Sequence, residues 1–215
     1  MKNQQKNVQK LTKMRSFLGL RPLDFNTLLF TLLAMVCSTN SLIAQKFNGV
    51  ELNQNAQVVI NSFIAKGWVQ SNKTKDYTTL KGKIANEEVL LTIYPTITSR
   101  KCRKIMALYT SPDSWDEAVS LYEQKCEIIT NKYGSPVFIN ETFYDPYYLG
   151  DGYEIQALGN DKCEYLRIWE KIVGYPNLTI GVEIGNAGMV MVAYEINTNM
   201  ELHKIELDKI QNAVY

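Results

Sequence analysis

The 215-residue sequence predicts an α+β protein made of two tandem repeats, each a helix followed by a three-stranded antiparallel sheet, with a helix closing the C-terminus. Three observations carry that prediction. Two segments show helical periodicity and stop at a glycine. Each is trailed by three runs of strand-forming residues, and the final segment turns amphipathic again.

The first helix reads "NQNAQVVINSFIAKGW", residues 53–68. Asn55 is its N-cap, Val59, Phe63 and Ile64 form the apolar stripe, and Gly67 supplies a left-handed stop that lets Trp68 fold back on Phe63. "YTTLKGKIA" (77–85), "EVLLTIY" (88–94) and "RKIMALYT" (103–110) follow as strands, with Asn86-Glu87 as a tight link and Pro95 closing the second run. "SPDSWDEAVSLYEQKCEIITNKYGSP", 111–136, is the strongest local signal. Ser114 and Glu117 have capping-box spacing, and Trp115, Val119, Tyr122, Cys126, Ile129 and Tyr133 fall on one face before Gly134 and Pro136 end the helix. After "PVFINETFYD" (136–145) come "CEYLRIWEKIV" (163–173), "NLTIGVEIG" (177–185) and "MVMVAYEIN" (189–197) as strands. The closing helix spans Asn199 to Val214, with Leu202, Ile205 and Ile210 expected to face inward.

The halves align as a diverged repeat, 45–112 and 113–215, in which "TLKGKIA" answers "YLRIWEK", "LLTIYP" answers "LTIGVEI" and "IMALYT" answers "MVAYEI". They differ mainly between the glycine stop and the first of the three strands, by 13 positions from Gly67 to Leu80 but 32 from Gly134 to Leu166. The stretch "FYDPYYLGDGY", 143–153, lies wholly within that extra length.

Residues 1–44 read as a secretory signal peptide. Six basic residues precede residue 27 against one acid, Asp24, and "TLLFTLLAMVC" then leads to a small residue, Ala44, before a polar start. The apolar run is well short of the roughly 20 residues a membrane-spanning helix needs. Cleavage after Ala44 gives a secreted or periplasmic chain; a retained signal is the alternative, and Met14 also suits a start. Of 23 basic and 22 acidic residues, six and one fall in the signal, so the remaining 17 and 21 give the mature chain a net charge of −4. That acidic body argues against nucleic acid. Cys37 sits where a lipoprotein would carry its lipid, yet Val36 occupies a position that takes Gly, Ala or Ser. A membrane partner therefore requires lipidated Cys37 or a retained signal. Cys102, Cys126 and Cys163 allow at most one intramolecular pair, and Cys126, on the apolar helix face, reads as a buried, inert thiol.

No catalytic constellation emerges. The one histidine, His203, lies on the closing helix beside Leu207 and Ile210, and "GxSxG", "GxGxxG", "GxxxxGK[ST]" and "HExxH" are all absent from the sequence. No cofactor and no metal site are expected. Glu141, Asp145, Asp151 and Glu154 cluster around 143–153 and raise a glycoside-type carboxylate pair, but Asp145-Pro146 and Gly150-Asp151-Gly152 are turn chemistry first. Tyr144, Tyr147, Tyr148, Asp151 and Tyr153 are the candidate ligand-binding residues. Two readings stand: the tyrosines cover an edge of the sheet, the favoured role, or they project as binding anchors. Trp115 and Trp169 read as core.

The layout of two tandem helix-plus-sheet units resembles the beta-lactamase inhibitor protein-like architecture. "NKYGSP" and "NLTIGVEIGNAGMVMVAYEIN" look like runs in small, uncharacterised secreted proteins of Gram-negative bacteria. The resemblance spans most of 46–215 and rests on element order. It implies a sheet surface suited to binding another protein and carries over no functional residue. The expectation is an exported, non-catalytic binding or accessory module, with a protein or glycan as ligand through a sheet face or the 141–154 loop. The alternatives are an envelope lipoprotein and a carbohydrate-binding or carbohydrate-active protein.

Overall fold

The computed structural model describes residues 45–109, 112 and 114–213. The signal segment and Cys37 lie outside them. The described chain is α+β with antiparallel sheets and a C-terminal helix. A short hairpin, β1 (Lys46–Phe47) and β2 (Val50–Glu51), precedes α1 (Ala56–Ile64). Four strands follow: β3 (Val69–Lys73), β4 (Thr78–Ile84), β5 (Glu87–Pro95) and β6 (Cys102–Tyr109). Helix α2 (Trp115–Tyr133), β7 (Phe138–Phe143), α3 (Glu154–Gly159), β8 (Cys163–Trp169), β9 (Leu178–Ile184), β10 (Val190–Ile196) and α4 (Asn197–Asn212) complete it.

Each half gives the large sheet four strands where the sequence pattern showed three. The added members are the edge strands β3 and β7, and the sheet runs β3-β4-β5-β6-β10-β9-β8-β7, antiparallel throughout. β3 escaped notice because "VQSNK" is exposed at all five positions and has no hydrophobic alternation. The order mirrors itself about the β6–β10 junction, so both halves share one sheet and one continuous core.

Local signals explain the helices. Asn55 Oδ1 accepts the Gln57 N–H at 2.9 Å, and Trp68 N–H returns to the Phe63 carbonyl across Gly67 at φ +89. In α1 the buried stripe is Ala56, Val59, Ile60 and Phe63, while Ile64 points to solvent. Ser114 Oγ caps α2 through the Glu117 N–H at 3.3 Å. Trp115, Tyr122, Cys126 and Ile129 are buried there, with Val119 and Tyr133 packed at the margin.

Helix α4 corrects an expectation. Ile205 and Ile210 are exposed, and the buried members are Asn199 and Glu206. The helix is held by polar groups: Asn199 Nδ2 donates to the Cys102 carbonyl at 2.8 Å, and the Glu206 carboxylate accepts the N–H groups of Thr98 and Ser99 at 2.7 and 3.0 Å. Such orphan loop donors must be satisfied once buried, and that requirement overrides the apolar pattern.

The sheet has two unlike faces. On one, Leu80, Leu91, Ala107, Val192 and Val182 form a cross-strand row that is almost wholly buried. α1 packs against β5, and α2 against β9 and β10. The opposite face presents the row Thr79, Thr92, Met106, Ala193, Gly181, Ile168 and Phe138, none of which is buried.

Candidate binding surface

The β7–β8 connection, 144–162, is braced by its own acids. Asp145-Pro146 is a cis peptide, and Gly150 and Gly152 take positive φ, +87 and +79. Asp151 accepts the Tyr148 and Tyr153 N–H groups at 3.0 and 2.8 Å. Buried Glu154 accepts the Gly150 N–H at 2.8 Å. Both carboxylates therefore face backbone donors of their own loop, the Asx-turn role their spacing allows. Tyr144 N–H donates to the Lys162 carbonyl at 2.8 Å and closes the base of the loop.

The tyrosines divide. Tyr147 packs against the core, and its hydroxyl accepts hydrogen bonds from Asn160 Nδ2 at 2.8 Å and Gln156 Nε2 at 3.2 Å. Tyr148 and Tyr153 stand 65% and 60% exposed beside Leu149 at 62%. Tyr144, 43% exposed, borders a hollow of about 340 Å³ with Leu158, Leu166 and Glu183. Tyr147 thus covers the core while Tyr148 and Tyr153 project into solvent.

A second hollow, about 280 Å³, lies at the middle of the open sheet face. Ala193 and Gly181 sit side by side at its floor, with Met106 and Ile168 at either end of that row. A Cβ placed on Gly181 would meet nothing within 4 Å, so the trough is a real gap between longer side chains. The next row sets Leu90, Leu108, Met191, Glu183 and Leu166 in line. Lys104 and Glu195 pair at 2.9 Å on one side of the trough, and Lys81 and Glu88 at 3.1 Å lie beyond Leu90. Desolvation, reinforced by Glu164 and opposed by Lys104, pushes the Glu183 carboxyl above its ordinary range. Leu166 and Glu183 border both hollows, so the loop and the sheet face form one continuous surface.

Sequence reasoning missed this trough, although a signal was present. "IMAL" (105–108) and "VMVA" (190–193) are apolar at consecutive positions, and a strand that buries one face alternates. Unbroken runs announce a sheet with two apolar faces.

The remaining candidates are structural. Glu141 accepts from the Tyr122 hydroxyl at 3.1 Å and from Arg167 Nε at 2.7 Å, while Arg167 also grips both oxygens of Glu123 at 2.9 and 2.6 Å. Burial pushes the thiols of Cys102, Cys126 and Cys163 up to about 12, and all three are free and buried. Such thiols are poor nucleophiles. His203 is half-buried beside Arg103, and desolvation lowers its pKa. Trp115 and Trp169 are core residues. Among the described residues no group of three or more His, Cys, Asp or Glu is placed to hold a metal ion, and no helix is long and apolar enough to cross a membrane.

Comparison with known proteins adds no name. No protein-family model, curated protein or solved structure matches the chain significantly.

Proposed function

We propose that the protein is an exported, non-catalytic binding module that docks a second protein on the open face of its sheet, with the 144–162 loop as a flank. The observation that supports this most is the apolar trough around Gly181 and Ala193, uncovered by α1 or α2 and rimmed by charge. Exposed contiguous apolar surface with a polar rim is the usual form of a protein-binding site. Tyr148 and Tyr153 extend it with rigid aromatic area, the kind that dominates binding energy.

Photo-crosslinking tests the reading. A benzoylphenylalanine at Ala193 or Met191 should trap one discrete protein in the native envelope, and the same group at exposed Val58 on α1 should not. Equal labelling from both faces would overturn it. Robust hydrolytic turnover on glycan, ester or peptide panels, abolished by Asp151→Ala or Glu154→Ala, would overturn the non-catalytic part.

A further inference from the structure

On the helix side of the sheet, α1 lies over β5 and α2 over β9 and β10, while α4 reaches β6 at its Cys102 end, which leaves a gap above the Tyr109 end of β6 at the junction of the halves. The gap is a cavity of about 340 Å³, independent of the open sheet face. Its floor is Tyr109, Val192 and Tyr194, each at most 9% exposed, and its apolar walls are Ile84 and Ile129. The volume falls within the range of small-molecule sites, about 300–1,000 Å³.

The mouth is cationic. Lys125, buried and 4.3 Å from the centre of the Tyr109 ring, is already paired with Glu87. Lys46 and Lys132 also line the cavity, both are exposed, and neither has a carboxylate within salt-bridge distance among the described residues. One wall therefore holds a neutralised pair, and two ammonium groups without a carboxylate in salt-bridge distance stand at the rim, that of Lys132 over the Tyr133 ring at 4.8 Å. An apolar pocket with three lysines and one lining carboxylate, Glu87, at its entrance favours an apolar body carrying one negative end.

We infer that this cavity binds a small amphipathic carboxylate, an acyl or aryl chain seated on Tyr109, Val192 and Tyr194 with its carboxylate between Lys46 and Lys132. Octanoate is the probe, titrated into the purified protein by isothermal calorimetry, with octanol and octyltrimethylammonium as controls. Saturable one-to-one binding of octanoate, at least about tenfold tighter than the cation, is expected. The double variant Lys46→Glu/Lys132→Glu changes only exposed positions, so it should fold normally and invert the preference. Val192→Phe should remove binding by filling the floor, with its melting curve read alongside. Absence of saturable octanoate binding, or octanoate binding unaffected by the charge reversal in a folded variant, would overturn the assignment. Neither outcome touches the crosslinking test on the opposite face.

Discussion

Gly82 is the position where the fold leaves least room for change. It sits on the helix side of β4, paired with Val89 of β5, and the Trp68 indole lies directly on its backbone. A Cβ at Gly82 would stand 2.2, 2.4 and 2.7 Å from indole carbons Cδ2, Cε3 and Cε2 of Trp68. The ring has no free direction of retreat, because it is 4% exposed and meets Phe63 edge-on with centroids 5.4 Å apart. Overpacking a filled core costs about 1–3 kcal/mol, and displacing an aromatic ring toward solvent adds part of its burial energy. Replacing glycine in a strand returns about 0.5–1 kcal/mol through the unfolded chain. Gly82→Ala should therefore lose about 2 kcal/mol net, or roughly 4–8 °C in Tm for a chain of this size. Equilibrium denaturation followed by tryptophan fluorescence measures it. In a Trp68→Ala background the same change should be neutral or slightly stabilising, which isolates the contact as the cause. An equal loss in both backgrounds, or a single-variant loss under about 0.5 kcal/mol, would refute the packing argument.

Two further outcomes follow from buried polar groups. Burial alone would raise the Glu206 carboxyl, but hydrogen bonds from Thr98, Ser99 and Ile97 outweigh it and hold the group below its ordinary value. Its stabilising contribution is therefore complete above the unfolded carboxyl pKa, about 4.3, and is lost as pH falls through the lower folded value. Glu206→Gln should cost about 1 kcal/mol at neutral pH and flatten the acid limb of a stability–pH curve measured by urea midpoints. Arg167→Met should cost about 2 kcal/mol, since it leaves the Glu141 carboxylate with the Tyr122 hydroxyl but no cation, and prior Glu141→Gln should shrink that loss in a double-mutant cycle.

What the sequence disclosed follows how each element is stabilised. α2 was legible because its cap, its stripe and its glycine stop agree, and the structure uses all three. The six strands read from the pattern all appear; buried positions alternate over five or more residues in β5, β6, β9 and β10, while β4 and β8 rest on their strand-forming residues. Elements and faces held by polar contacts were harder to read. β3 pairs with β4 along exposed residues and α3 has no side-chain cap, whereas α4 was read as a helix but not its buried side, because Asn199 and Glu206 anchor it to partners distant in sequence. The open sheet face needed register to be seen: which of Met106, Gly181 and Ala193 stand together depends on pairing between β6, β10 and β9.

In the proposed binding role, the loop would serve structure and recognition together. In the first half β3 and β4 are joined by residues 74–77, whereas β7 and β8 are joined by 144–162 with α3 inside. Asp151 and Glu154 of the longer connection are committed to backbone N–H groups and Tyr147 to Asn160, so the segment carrying Tyr148 and Tyr153 is fixed before any partner arrives. Preorganisation reduces the entropy lost on association, and tyrosine loses little because it has two side-chain torsions. Tyr148→Ala should thus weaken partner binding without moving Tm, because the ring supports nothing in the free protein. Asp151→Ala should weaken binding while leaving every tyrosine in place, and should also lower stability by about 1 kcal/mol through two unpaired N–H groups. Surface plasmon resonance against the crosslinked partner, with a melting curve for each variant, separates the two effects. If Tyr148→Ala leaves affinity unchanged, the projecting rings are bystanders and the sheet trough alone carries the interaction.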